Sequence, residues 1–212
     1  PHAVIRPFLL TEDEAAAAPA GVEMVDAKGP QLAGMKYAMG VSTLDCTSCG
    51  SCVNSCPKAG KALKMVPSHE VSLDQSGWEY LFNLPVKGDK LDKFTLKGSQ
   101  FKQPLVEFSG ACAGCGETPY IKLLTQLFGD KMYLANATGC TQAWGAAMPC
   151  VPYCKNAEGR GPAWSNSLFE NNAEFSYGMC LAVKQLRDCV TGYVKELDAL
   201  TTNADVKAMI AK

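Results

Sequence analysis

The sequence predicts two modules in tandem, a small α+β module followed by an α/β module, neither of them complete. Three observations carry this. Cysteines crowd a short stretch, Cys46, Cys49, Cys52 and Cys56 with Pro57 behind the last. A polar stretch, residues 68–103, breaks every long periodicity. From Pro104 onward the pattern changes to an apolar run, a glycine-rich turn, a helical pattern and a second apolar run. The predicted boundaries are 1–67 for the first module, 68–103 for an extended connector and 104–212 for the second.

Composition narrows the rest. The chain has 212 residues, 47% of them hydrophobic, ordinary for a globular protein. Twenty basic against 21 acidic residues give a net charge of -1, so no overall field favours nucleic acid or an anionic membrane, and neither is expected as a partner. No apolar run approaches the ~18 residues of a membrane-spanning helix. Eleven cysteines is an odd count, which argues against a closed set of disulfides and for a reducing compartment.

In the first module, residues 11–30 read as a surface loop or short helix with the acidic patch Glu12-Asp13-Glu14. Lys36 to Ser42 alternates like a short strand with Tyr37, Met39 and Val41 on one face, and it delivers the chain to Asp45 and Cys46. The C-x2-C-x2-C-x3-C-P spacing that follows is that of a 4Fe-4S module. Its first three thiolates hold three corners of one cluster, and the fourth, Cys56, reaches a second cluster. Zinc, the chief rival, would use two C-x2-C pairs across a longer loop. The first module is thus read as ferredoxin-like, and Pro1 to Ile5 reads as the stretch after the last cysteine of a partner run. Lys58 to Met65 suits one or two helical turns.

In the second module Leu105 to Phe108 reads as a strand, Ser109 to Gly116 as a turn, Thr118 to Phe128 as a helix with Pro119 in its first turn, and Met132 to Ala137 as a strand. This is the pattern of a parallel sheet, whose ligands lie outside the carboxyl ends of its strands, where Cys112, Cys115 and Cys140 fall. Ala147 to Pro162 is loop-like. Ala173 to Ala199 forms one long helix, because Phe175, Met179, Ala182, Leu186, Val190, Tyr193 and Leu197 recur three or four apart, a stripe read as packing.

By itself the C-x2-C of Cys112 and Cys115 is compatible with a redox dithiol, half a zinc site or three corners of a cluster with Cys140. The stretch Glu107 to Tyr120, EFSGACAGCGETPY, with Asn136 to Cys140, NATGC, and Gly161 to Glu170, GPAWSNSLFE, closely resembles pyruvate:ferredoxin oxidoreductase, and the resemblance spans nearly the whole chain. It implies a fragment holding the end of a two-cluster ferredoxin domain and the start of an α/β domain that binds thiamine diphosphate and Mg2+. It implies that Cys112, Cys115 and Cys140 hold a third 4Fe-4S cluster with a more distant fourth cysteine. Glu117 and the backbone around Cys140 are then expected to contact the thiamine, with Thr138 a softer candidate; read without the family, Glu117 is a helix-start carboxylate.

The implied reaction is oxidative decarboxylation of pyruvate with coenzyme A to acetyl-CoA and CO2, electrons leaving through the clusters to ferredoxin or flavodoxin. Pyruvate and coenzyme A would bind through domains outside this chain, in an enzyme expected to be homo-oligomeric and to reside in the cytosol or a hydrogenosome-like organelle. The isolated chain is expected to be inactive. Two other readings are a stand-alone iron–sulfur carrier, which leaves residues 104–212 without a role, and a zinc-stapled interaction module.

The remaining candidates read as structural. Cys180 and Cys189 are packed thiols on the long helix, Cys150 and Cys154 are incidental thiols, His2 and His69 are surface or structural residues, and Trp144 and Trp164 pack. The expected genomic outcome is a second C-x2-C-x2-C-x3-C run encoded immediately before Pro1, and a Gly-Asp-Gly with a lone cysteine beyond Lys212. Gly129-Asp130-Lys131 is not that segment. Sequencing the gene on both sides checks this.

Overall fold

The computed structural model describes residues 2–58, 62–71, 74–146 and 151–211. Helices and small sheets mix along it, in two compact units: Pro1–Tyr133 with Gly139–Trp164, and Leu134–Thr138 with Ser165–Lys212.

The first unit is built on a three-stranded antiparallel sheet. β1 (Ile5–Leu10) and β2 (Met24–Asp26) flank β3 (Lys36–Val41), with Phe8 opposite Ala38, Leu9 opposite Tyr37 and Met24 opposite Ala38. β1 was not predicted from sequence, because Pro7 interrupts its apolar run. An edge strand tolerates that proline, since one side of its backbone needs no ladder donor. α1 (Glu12–Ala16) follows directly, set by a capping box in which Thr11 Oγ1 accepts from the Glu14 N–H and Glu14 Oε2 accepts from the Thr11 N–H at 2.8 Å.

Side chains alternate across a strand, so the sheet is covered on both faces. Leu10 and Ala38 pack with Leu81 on one face. Leu81 comes from α3 (Ser76–Phe82). Leu9 packs with Leu32 and Met35 on the other, with Phe101 against them. Each buried leucine contributes about 1.5–3 kcal/mol relative to exposure. The face bearing Tyr37, Met39 and Val41 is the more open one: Tyr37 meets the Phe101 ring edge-on at 6.2 Å, whereas Met39 and Val41 are exposed.

Residues 68–103 are therefore not an extended connector. They supply α3 and, after α2 (Ser51–Ser55) in the cysteine run, α4 (Leu96–Gln100), whose Thr95 side chain accepts from the Gly98 N–H. The helical turns expected from Lys58 to Met65 are not found in residues 62–65, and residues 59–61 lie outside the described ones. Leu105 to Phe108 does not form a strand either. Val106 makes one isolated antiparallel bridge to Tyr153, and Phe108 turns to φ 52°, a left-handed backbone that ends any extension.

α5 (Thr118–Phe128) has the bounds the sequence predicts, with Pro119 where a helix lacks a use for the N–H. β4 (Tyr133–Asn136), α6 (Cys140–Ala146) and β5 (Ala163–Asn166) follow. Ala163 N–H bonds to Met132 O and Ser167 N–H to Asn136 O. Both partners advance together, so β4 and β5 pair in parallel.

The second unit is dominated by α7 (Asn172–Leu200), 29 residues long, with α8 (Ala204–Ile210) capped by Asn203. The predicted apolar stripe is present but not packed: α7 has no buried residue, and Leu186, Val190 and Tyr193 are 67%, 59% and 69% exposed. No helix among the described residues is long and apolar enough to cross a membrane.

One buried ion pair ties the first unit together. Arg6 on β1 binds Glu107, with side-chain exposures of 7% and 12%. Its guanidinium lies 5.4 Å from the Trp78 ring centroid, 5.3 Å from Phe82 and 5.4 Å from Phe108. Arg6→Ala strands the Glu107 charge, so urea denaturation is expected to show a loss of about 3–5 kcal/mol; a loss below about 1 kcal/mol would mean the pair is surface-like.

Candidate functional site

The backbone of the cysteine run takes left-handed turns at Ser48, φ 55°, and Gly50, φ 74°. Gly50 meets that demand without a Cβ penalty. α2 begins immediately after it, carrying Cys52. Cys49 is half-buried while Cys46 and Cys52 are exposed. The Cys49 Sγ lies 3.4 Å from Ser51 Oγ. The Ser51 hydroxyl, the Ser51 N–H and the Gly114 N–H all donate toward this sulfur and hold its thiol below the ordinary value, against the opposing effect of burial.

The Gly114 contact joins two motifs 65 residues apart in sequence. Gly114 sits inside the Cys112 to Cys115 loop at φ 75°. A Cβ built there would lie 3.6 Å from Ser51 Oγ and 3.8 Å from Cys49 Cβ, so the two cysteine loops touch. Cys115 Sγ accepts the Glu117 N–H at 3.4 Å, and Cys56 Sγ accepts the Ala62 N–H at 3.3 Å. Backbone N–H groups aimed at sulfur stabilise the thiolate that soft metals bind.

Cys140 opens α6 and is exposed, as is Cys112. Trp144, one turn later on the same helix face, is 3% exposed, and its Nε1 donates to Glu117 Oε2 at 2.9 Å. The α6 helix and this bond were missed in the sequence, where Trp144 read as packing alone. The signal was the i, i+4 spacing of Cys140 and Trp144. Trp144 does also pack, its ring 6.3 Å from Tyr153. Thr138, in the second unit, is exposed and its N–H donates to Phe169 O at 3.4 Å.

Soft donors supported by N–H groups fit an iron–sulfur cluster in their chemistry. Their positions do not yet form its shell: among the described residues no three Cys, His, Asp or Glu side chains gather closely enough to hold a metal ion. The structure brings the two cysteine loops together and links Glu117 to the helix of Cys140.

The other thiols separate by environment. Cys180 and Cys189 are exposed on α7, which corrects the expectation that they are packed, because the helix face that would bury them has no partner in its own unit. Cys154 is half-buried, its thiol 3.6 Å from Pro104 O; burial, and then the charge of Glu107, push it up to about 12. Cys150 lies outside the described residues. His2 is buried and its Nδ1 lies 3.0 Å from Ser109 O, a structural role. His69 is exposed beside Glu70. Trp164 Nε1 is buried with no partner among the described residues.

Comparison with known proteins gives the family. No protein-family model matches the chain. It is 54% identical over 199 residues to the pyruvate-flavodoxin oxidoreductase of Enterobacter agglomerans, covering 92% of this chain and 16% of that protein. It is 52% identical over 201 residues to the pyruvate:ferredoxin oxidoreductase of Moorella thermoacetica, covering 94% and 17%. A pyruvate dehydrogenase (NADP(+)) of Cryptosporidium parvum is 53% identical over 189 residues, 89% of this chain and 10% of that protein. The chain therefore belongs, over the stretch it spans, to the pyruvate-flavodoxin and pyruvate:ferredoxin oxidoreductase family, and it spans about a sixth of the length of the first two relatives.

The thiol environments predict selective alkylation. With iodoacetamide near pH 8, peptide mass mapping is expected to find Cys180 and Cys189 modified and Cys154 unmodified, because the reactive thiolate of Cys154 forms only near pH 12. Equal labelling of the three would contradict the environment assigned to Cys154.

Proposed function

We propose that the chain is the electron-relay part of a pyruvate oxidoreductase, with a ferredoxin-like cluster module followed by the start of a thiamine diphosphate-binding domain. The observation that carries the reading is the contact between the two cysteine loops at Gly114 and Cys49, because one-electron transfer between two redox groups requires them to be close. Bound 4Fe-4S clusters would supply one-electron chemistry, and thiamine diphosphate with Mg2+ the carbanion chemistry of decarboxylation.

In this reading Cys46, Cys49 and Cys52 hold one cluster, Cys56 reaches another, and Cys112, Cys115 and Cys140 hold a third. The N–H groups of Gly114 and Glu117 steady the sulfurs of Cys49 and Cys115 and tune their electron density. Glu117, its carboxylate aimed by Trp144, would accept a hydrogen bond from the thiamine ring, and the backbone at Cys140 and, more softly, Thr138 are the other candidate contacts to that cofactor. The overall change is pyruvate plus coenzyme A to acetyl-CoA, CO2, one proton and two electrons.

The electron acceptor is a separate matter. The relatives' names give flavodoxin, ferredoxin and NADP(+) over the same matched stretch. In the Cryptosporidium relative that stretch is a smaller share of a longer protein. We infer that acceptor choice is set outside this segment, as are pyruvate and coenzyme A binding and any homo-oligomer contacts.

A chimera tests the proposal. With this chain replacing the matched stretch of the Moorella thermoacetica enzyme, pyruvate- and coenzyme A-dependent dye reduction is expected to persist, and Glu117→Gln to lower it by about 100-fold, a typical loss for proton-transfer groups. The 212-residue chain alone is expected to show no turnover. A folded, iron-loaded chimera without pyruvate oxidation, or turnover by the chain alone, would overturn the proposal.

A further inference from the structure

A cavity of about 440 Å³ opens in the first unit between β1, the segment after α3, and the α4–α5 region. Among the described residues its wall carries four basic side chains, Arg6, Lys87, Lys102 and Lys122, and no carboxylate. Three of the four have a carboxylate partner outside the wall: Arg6 has Glu107, Lys87 has Glu14 at 2.9 Å, and Lys102 has the exposed Asp89. Lys122 is different. Its Nζ lies 3.3 Å from Gln126 Oε1 and 3.5 Å from Gln100 Oε1, with no carboxylate partner among the described residues. Burial, helped by the positive charge of Arg6, brings its amine down to about 8.

An uncompensated cation at a cavity wall is costly unless something pairs with it. The rest of the wall includes Leu84, Val86 and Phe101, so it offers apolar surface beside the charge. The volume falls within the range of about 300–1,000 Å³ typical of small-molecule sites. With one unmatched positive charge, the ligand that balances the cavity carries one negative charge.

We propose that this cavity binds a small organic monoanion, a carboxylate with an apolar body, its carboxylate paired with Lys122 and its body against the apolar part of the wall. Binding takes up protons near pH 8, because a carboxylate beside Lys122 raises its amine back toward the ordinary lysine range. The charged groups around Lys122 are Arg6 from β1, with Glu107 and the Cys154 thiol beside it, and Lys87 and Lys102 from the segments flanking the cavity. Cys154, held near 12, stays protonated in this range.

Isothermal titration of the full chain with 4-phenylbutyrate and with its neutral analogue 4-phenylbutan-1-ol tests the site. The acid is expected to bind about tenfold tighter or more than the alcohol, the usual worth of a charge-assisted bond. Lys122→Met abolishes that preference and Lys122→Arg keeps it. At about pH 8.5, wild type takes up protons on binding, read from two buffers of different ionisation enthalpy, whereas Lys122→Arg takes up none because arginine stays charged. Lys122→Arg also serves as the folded control for Lys122→Met. Equal binding of acid and alcohol, an unchanged preference in Lys122→Met, no saturable binding, or inorganic phosphate binding as tightly as the acid would each overturn the proposal.

Discussion

The buried pairing of Arg6 with Glu107 is the interaction on which the arrangement of the first unit depends. A guanidinium taken out of water is tolerable only with its charge matched and its faces covered, and here Glu107 matches it while Trp78, Phe82 and Phe108 surround it. That fixes residues 107–109 beside the start of the chain. Phe108 N–H bonds to His2 O, and the His2 ring lies against Ser109 O. The Cys112 to Cys115 loop thus leaves from a rigid base three residues later, and its Gly114 comes to rest on Cys49.

From that base the sulfur chemistry follows. The N–H groups of Ser51 and Gly114 reach the Cys49 sulfur, and the left-handed φ of 75° at 114, which glycine takes without strain, sets the course of that loop. Glu117 works in two directions, its N–H on Cys115 and its carboxylate on Trp144. Since Trp144 shares a helix with Cys140, this one residue links the two cysteine motifs that the second module contributes. The family assignment and this geometry both support the proposed electron relay.

What the sequence disclosed and what it hid divide along physical lines. The cysteine run stands out as a proposed ligand pattern because ligand spacing is local, and α5, β3 and α7 were legible because their periodicity or their punctuation by Pro119 is strong. β1 was hidden by Pro7, whose tolerance depends on its being at a sheet edge, a tertiary fact. α3 and α4 were hidden because five to seven residues give too few turns for a periodic signal, and it is Leu81 and Phe101 packing on the sheet that stabilise them. The strand expected at Leu105 failed because Phe108 is turned by its place at the Arg6 cluster. The stripe on α7 was read correctly as a pattern but not as packing, since a pattern names a face and not its partner. For the site, Cys49 and Cys115 were legible as residues, whereas the Gly114 contact and the Trp144 bond are long-range and left only the Cys140 to Trp144 spacing as a trace.

The central claim is that these sulfurs hold iron cubes and not another metal. Anaerobic reconstitution of the chain with iron and sulfide in the presence of zinc, followed by metal and acid-labile sulfide analysis, tests it most directly. The account predicts bound iron and sulfide in about equal amounts, the composition of a 4Fe-4S cluster, with both lost when Cys46, Cys49, Cys52, Cys112, Cys115 and Cys140 are all replaced by serine. Zinc bound without sulfide, or iron and sulfide retained by the variant that lacks all six cysteines, would contradict it.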